Sequence, residues 1–336
     1  MAVRLKDIAR DLGVSTVTVS KVLRGHSDIS ERTRALVLKR MQELDYQPNM
    51  FARGLASGRS YAVGLVVPDL VHPFFAEFAR SLAGALRESG LALILASSEE
   101  DPVIERREVR LLLSRGVDIL LVASCRTLGT SEPFPREQGT PLLLIDRNLP
   151  VLAANFVGSN DVRVGELATR HLLDLGRRRI AHIGGKGISP ALDRLAGYRK
   201  ALTDAKLKAP AELIVTRNRF EEQGDTAGYQ AMQTLLQLKK RPDAVFCYND
   251  LTAMGAIKAV NEAGLRIPQD IAFVGCGNLR YSPYLRIPLT SVDHGTERMG
   301  AVAATLALQI MKTPEQVPQT ILLEPKLVIR ESSVLP

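Results

Sequence analysis

Apolar and polar positions follow two different rhythms along this chain, and the change falls near residue 60. In "RLKDIARDLG", Leu5, Ile8, Ala9 and Leu12 stand at i, i+3, i+4 and i+7, the apolar face of one helix. The next stretch, "VSTVTVSKVLRG" (14–25), is ambiguous. Val17, Val19 and Lys21 alternate with Thr16, Thr18 and Ser20, and β-branched residues favour strands. Its flanks decide for a helix. Ser15 can accept a hydrogen bond from the N–H of Val17 or Thr18, Gly25 suits a helix end, and Gly13 permits the left-handed backbone of a tight turn. Val19, Val22 and Leu23 then form the buried stripe, and Thr16, Val17, Thr18, Ser20 and Lys21 lie around the outside. A third helix, "SERTRALVLKRMQELDY", is capped by Ser30 and expected to turn Leu36, Val37, Met41 and Leu44 inward.

Helix, glycine turn, helix and supporting helix make a helix-turn-helix, whose second helix enters the major groove of DNA. There Thr and Ser hydroxyls reach phosphates or base edges, and a Val methyl packs on thymine. After Pro48 comes "NMFARGLASGRS", in which Asn49 can cap a short helix over 50–57 that ends at Gly58. A helix so short, carrying Gly54, is marginal alone and depends on a partner for order.

From Tyr61 the rhythm becomes strand–helix alternation. "YAVGLVVP", "LALILAS", "VDILLVA", "TPLLLID", "RIAHIGG", "ELIVTR", "DAVFCYN" and "IAFVGCG" are short apolar runs, separated by helical stretches such as "FFAEFARSLAGALRESG" and "LTAMGAIKAVNEAG". This predicts an α/β fold: parallel, doubly wound sheets covered on both faces, in two lobes, with binding at the carboxyl ends of the strands. The expected organisation is a DNA-binding domain over 1–48, a hinge over 49–60 and a two-lobed body over 61–336.

Charge sharpens the division. The chain of 336 residues carries +8, and residues 1–60 hold 11 Lys and Arg against 6 Asp and Glu. More than half of the excess thus lies in less than a fifth of the length, as a nucleic-acid-binding head requires. No run approaches the roughly 20 apolar residues of a membrane span, and "MAVRLKDIAR" lacks a signal-peptide core, so the cytoplasm and its nucleoid are expected. Cys125, Cys247 and Cys276 are far apart, and the five histidines are dispersed. Neither a metal nor another cofactor is expected.

Residues 3–60 resemble the headpiece of the LacI/GalR family of bacterial transcriptional regulators, through the blocks "DIARDLGVSTVTVSKVL" and "YQPNMFARGL". The resemblance implies that Thr16, Val17 and Lys21 read an operator half-site, that Ser15, Thr18 and Ser20 mostly contact or cap near phosphates, and that Arg24 is a further DNA-binding residue. It implies that hinge helices of two subunits pair, with Asn49 as cap, Arg53 on phosphate and Leu55 wedged into the minor groove. Residues 61–330 resemble the family's effector-binding core, which shares its fold with periplasmic sugar-binding proteins. "VGLVVPDLVHPFFAE", "LLLIDR", "RLAGYRKAL", "YNDLTAMGAIKAVNEAGLRIPQDIAFVG" and "PLTSVD" carry that match.

By that resemblance the chain crosses between lobes near 159, 291 and 320. The amino-terminal lobe would be 61–158 with 292–319, and the carboxy-terminal lobe 159–291 with 320–336. The effector pocket would be lined by Phe74, Phe75, Asp146, Arg194, Phe220, Asn249 and Asp250. One position departs from the family: where an aspartate commonly binds ligand, "GCGN" places Gly277. That weakens the case for an ordinary sugar and leaves a larger ligand, an anionic one beside Arg194, or none.

The implied function is a repressor-type regulator that binds a pseudo-palindromic operator as a homodimer under control of a small polar effector. A dimer is expected because the chain ends at "VIRESSVLP" without the leucine-repeat tail of family tetramers. A solute-binding protein of the same core is the alternative, disfavoured by the basic head. An enzyme is not expected. "GGKGIS" lacks both phosphate-loop and dinucleotide spacing, and no nucleophile–base set stands out, so no catalytic residue is nominated.

Overall fold

The ambiguous stretch folds as a helix in the structure, a computed structural model that describes residues 3–23, 26–46, 58–128, 134, 139–185, 187–216 and 220–334, the side chains of 220–223 excepted. The chain divides into two units, Met1–Ser60 and Tyr61–Pro336. In the first, α1 (Leu5–Asp11), α2 (Thr16–Leu23) and α3 (Glu31–Glu43) surround Ile8, Ala9, Val19, Val22, Val37 and Met41. Ser15 accepts the N–H of Thr18 at 3.0 Å, Ser30 accepts that of Thr33 at 3.2 Å, and Gly13 turns the chain at φ +65°. Arg40 on α3 donates to Asp11 at 2.7 Å and ties the third helix to the end of the first. One expectation fails: Leu36 is 50% exposed. Val37, Met41 and Leu44 follow i, i+4, i+7 down one face, and Leu36 lies about 100° around the helix from Val37.

The second unit holds two six-stranded sheets. The first, ordered β11-β5-β4-β3-β1-β2, is built from β1 (Ala62–Val67), β2 (Ala92–Ser97), β3 (Ile119–Val122), β4 (Leu142–Ile145), β5 (Asn155–Ser159) and β11 (Thr320–Leu323). The second, ordered β12-β10-β9-β8-β6-β7, is built from β6 (Ile180–Gly184), β7 (Ile214–Thr216), β8 (Ala244–Cys247), β9 (Ala272–Cys276), β10 (Ser291–Asp293) and β12 (Lys326–Val328). All pairings are parallel except β10 with β12. The central strands are buried along their whole length, which is why they read as unbroken apolar runs rather than alternations.

Helices α4 (Pro73–Glu88), α5 (Pro102–Ser114) and α10 (Thr296–Lys312) cover the first sheet. Helices α6 (Asp161–Asp174), α7 (Ser189–Asp204), α8 (Phe220–Leu236) and α9 (Asp250–Glu262) cover the second. Helices α6 and α7 meet backbone to backbone at two glycines. A Cβ on Gly165 would lie 2.1 Å from the Arg194 carbonyl, and one on Gly197 would lie 2.0 Å from the Val162 carbonyl. That close approach seats Arg194 at the mouth of the second lobe.

The lobes differ from the expected division at two places. Strand β10 pairs with β9 and so belongs to the second lobe through Asp293. Strand β11 pairs with β5 and so belongs to the first. The crossings therefore fall at 160, 294–295 and 324–325, because a strand's lobe is set by its hydrogen-bonding partner. The four strands missing from the apolar pattern, β5, β10, β11 and β12, flank these crossings.

Candidate functional site

The outward face of α2 presents Thr16 and Val17 to solvent, Val17 being 59% exposed. Thr18, Ser20 and Lys21 are half-buried beside them. The Ser15 hydroxyl is engaged with that of Thr18 at 2.9 Å as well as with its N–H, so both act in the cap. Lys21 is ion-paired with Asp28, and that hydrogen bond holds the Asp28 carboxyl below its usual range. Arg24 and the hinge residues Asn49, Arg53 and Leu55 lie outside the described residues.

In the body, Phe74, Asp146, Arg194, Asn249 and Asp250 come from four separate segments to the wall of one cavity between the lobes. Phe75 does not join them. It is buried in the core of the first lobe, edge-on to Phe74 with ring centroids 4.8 Å apart. Phe220 opens α8, and its side chain is outside the described set. The wall also contains His72, Tyr248, Cys276, Leu279 and His294. Apart from the position of Tyr248 before "ND", these residues carried no sequence signal, since a lone histidine or thiol beside a strand end is ordinary.

Arg194 is 3% exposed and held at three points. Its Nε donates to Asp161 Oδ1 at 2.7 Å, its Nη1 donates to the Tyr248 carbonyl at 2.7 Å, and the guanidinium lies 4.7 Å from the Tyr248 ring centroid. Burial opposes its charge, but Asp161 and the other groups around it carry its pKa well above the ordinary value. Asp161 is the first residue after the crossing at 160, so this pair locks α6, α7 and the end of β8 together. Asp146 closes β4 in the left-handed region at φ +59°, a conformation Asp tolerates better than most residues, and its N–H donates to the Val157 carbonyl at 2.9 Å.

Asn249 and Asp250 also do separate structural work. Asn249 caps α9 by accepting from the N–H and the hydroxyl of Thr252, both at 2.8 Å. Asp250 accepts from the Leu279 N–H and the Ser282 hydroxyl, both at 2.8 Å, and from the Ser291 hydroxyl at 2.6 Å. Its carboxylate thus anchors the loop after β9, and burial raises its pKa. Gly277 sits in that loop at φ +123°, a backbone conformation that side-chain-bearing residues rarely adopt. An aspartate there would be strained although a Cβ meets nothing closer than the Leu279 side chain at 3.8 Å.

The cavity has a volume of about 20 Å³, room for roughly one water molecule. The lobes are therefore shut on each other. Hydrogen bonds from the Leu128 N–H to the Gly187 carbonyl and from the Asn148 N–H to the Ser189 hydroxyl, both at 2.8 Å, hold them so, and Asn249 Nδ2 lies 3.2 Å from His72 Nε2 across the same cleft. Cavities of about 320 and 160 Å³ flank the central one, sharing Gly277 and Asp146 with it respectively. Among the described residues no group of three His, Cys, Asp or Glu could hold a metal ion, and no helix is long and apolar enough to cross a membrane.

A helix-turn-helix unit on a chain whose larger unit is a two-lobed clamp defines a DNA-binding transcriptional regulator of the ligand-responsive kind. Comparison with known proteins agrees and narrows the class. Residues 4–49 match the model of bacterial regulatory proteins of the lacI family, and residues 169–333 match that of the periplasmic binding protein-like domain. The chain is 34% identical to the ribose operon repressor of Haemophilus influenzae over 329 residues, 98% of each protein. Among solved structures it resembles the transcriptional regulator CelR in complex with cellobiose, at 30% identity and a TM-score of 0.74 over 98% of this chain and 99% of that one. It also resembles the lac repressor dimer bound to operator and the anti-inducer ONPF, at 26% identity and a TM-score of 0.81 over 99% and 100%. The chain belongs to the LacI family of bacterial regulatory proteins. It is accordingly a sequence-specific DNA-binding transcriptional regulator and not an enzyme.

Proposed function

We propose that this regulator is a homodimeric repressor that binds a pseudo-palindromic operator and whose DNA affinity is set by a small polar effector in the cleft between the lobes. The observation that carries the reading is the convergence of Phe74, Asp146, Arg194 and Asn249 on one cavity between two lobes that cross-lobe hydrogen bonds hold shut. An effector larger than water requires the lobes to part, so binding and lobe geometry are coupled. The named relatives act on ribose genes or bind cellobiose, which supports a neutral polar compound of sugar size as the effector class.

On the DNA side, Thr16, Val17 and Lys21 read the half-site, with Lys21 exchanging Asp28 for DNA. Ser15, Thr18, Ser20 and Arg24 serve the backbone contacts. Asn49, Arg53 and Leu55 form the hinge that two subunits pair over the operator centre. Dimerisation is supported by the edge strand β2, which exposes Leu95, and by the exposed Val103 and Leu111 on α5 packed beside it. Lobe motion changes the spacing of the two paired first lobes, and with it the pairing of the hinges. Effector and operator then influence each other by equal factors.

Gel mobility shift on genomic fragments tests the reading. Wild type is expected to retard discrete fragments as a dimer, with retardation altered by an effector. Leu55→Ala is expected to lose operator affinity while melting like wild type. Unchanged operator affinity in Leu55→Ala removes the wedge, and absence of any specific fragment removes the regulator–operator model.

A further inference from the structure

We infer that His294 is the side chain that selects the effector: from the second crossing between the lobes, its imidazole performs at the cleft the hydrogen bonding that Gly277 cannot, and it takes an uncharged ligand edge carrying an acceptor beside a donor. The inference rests on the cleft reading above and gives it a ligand chemistry.

His294 is 4% exposed and lines the central cavity, yet no protein group among the described residues hydrogen-bonds to either ring nitrogen. A buried polar group without a partner destabilises the fold, so proteins retain few of them away from places where something binds. The ring is not loosely placed. It packs on Phe74 of the same wall at 4.9 Å between centroids, and the Gly295 N–H donates to Asp293 at 2.7 Å to fix the crossing. Burial above all, then Arg194 and His72, push its pKa down to about 3. The ring is therefore neutral and offers one N–H and one lone pair. An aspartate in the place of Gly277 would only accept; the imidazole both gives and takes.

A second contact in the same wall points the same way. Asn249 Oδ1 is committed to Thr252, so its amide NH₂ faces His72 Nε2. His72 Nδ1 in turn accepts the Phe74 N–H at 3.2 Å. A neutral imidazole has one lone pair and cannot accept at both nitrogens. The Asn249 NH₂ and the Phe74 N–H thus compete for the one lone pair of His72 in the shut cleft. An acceptor atom of a ligand, entering between His72, Asn249 and His294 as the lobes part, relieves the conflict. An anion gains little here, because Arg194 is already paired with Asp161 and the Asp146 carboxylate shares the wall.

The test is calorimetric titration of the full chain with D-ribose, cellobiose and hypoxanthine as neutral probes and D-gluconate as the anionic one. Wild type, His294→Phe, His294→Gln and Asp146→Asn are compared, with the melting point of each unliganded protein. A neutral probe is expected to bind wild type in preference to gluconate. His294→Phe should weaken it about tenfold or more, roughly the effect of one lost hydrogen bond with its partner left unpaired. His294→Gln, which can still give and take, should stay within a few-fold.

Unliganded His294→Phe should melt at or above the wild-type temperature, since a group kept for binding costs stability. Unchanged affinity in His294→Phe, a preference for gluconate, or a lower unliganded melting point overturns the assignment. Should none of the four probes bind wild type, the melting comparison alone decides it. If Asp146→Asn loses the probe while His294→Phe keeps it, the cleft stands and His294 is wrong. If both variants bind normally, the cleft reading itself has failed.

Discussion

The pair Arg194–Asp161 gives the sharpest stability prediction. Both side chains are buried, the Nε–Oδ1 distance is 2.7 Å, and Asp161 is the carboxylate in direct contact with the guanidinium. Asp161→Ala removes the counter-charge and leaves a cation in a nearly dry site. Breaking a buried pair from one side costs about 3–5 kcal/mol. The lower end applies here, because the Tyr248 carbonyl and ring remain to receive the charge. For a unit of this size that loss lowers the melting temperature by about 6–12 °C.

The assay is urea unfolding of the full chain by circular dichroism, with Arg194→Met and the double variant completing a cycle. Arg194→Met should also be destabilising, and the double variant should recover at least about 2 kcal/mol relative to additivity, since it removes both charges together. Additive losses, or a cost of Asp161→Ala below about 1 kcal/mol, would refute the argument that these charges are dry and mutually dependent.

Other expectations follow from the same geometry. Val19→Ala should destabilise the first unit by about 2 kcal/mol, from two lost methylene equivalents plus a cavity, whereas exposed Val17→Ala should leave melting unchanged and weaken operator binding in a gel shift. Gly197→Ala forces a Cβ to 2.0 Å from the Val162 carbonyl and should cost at least about 1–3 kcal/mol; a melting point equal to wild type would mean that α6 and α7 separate freely. His182 is fully buried, donates Nδ1–H to the Phe246 carbonyl, and has its pKa pushed down to about 4 by burial. A depressed histidine pKa stabilises above the unfolded value of about 6.5 and loses that stability as pH falls toward 4, or about 2 kcal/mol by pH 5. A His182→Phe variant should show a correspondingly shallower loss of melting temperature between pH 7 and 5, and an identical slope would contradict it.

Local patterning was legible wherever one face of an element is buried or where a cap has only one use. Ser15 before α2 and Ser30 before α3 accept the N–H groups of Thr18 and Thr33, and eight apolar runs fold as strands. Motif resemblance brought out Asp146, Arg194 and Asn249, three of the groups on the cavity wall. It did not separate Phe74 from Phe75, because adjacent residues on α4 differ by about 100° and only packing decides which faces the cleft. Nor did it reveal that Asn249 is the cap of α9 while Asp250 anchors the loop after β9.

What the sequence determined by itself is therefore local and periodic: helices and strands, the basic first unit, the family and part of the polar wall. The tertiary structure alone decided which strands partner across the crossings, which moved β10 and β11 between lobes. It also decided that the central cavity is shut to about 20 Å³ and that His294 stands in it with no hydrogen-bond partner among the described residues. The reason is the range of the interactions. Caps and apolar periodicity act within a few residues, whereas partner choice and burial depend on groups far apart in the chain, such as His72 and Asn249.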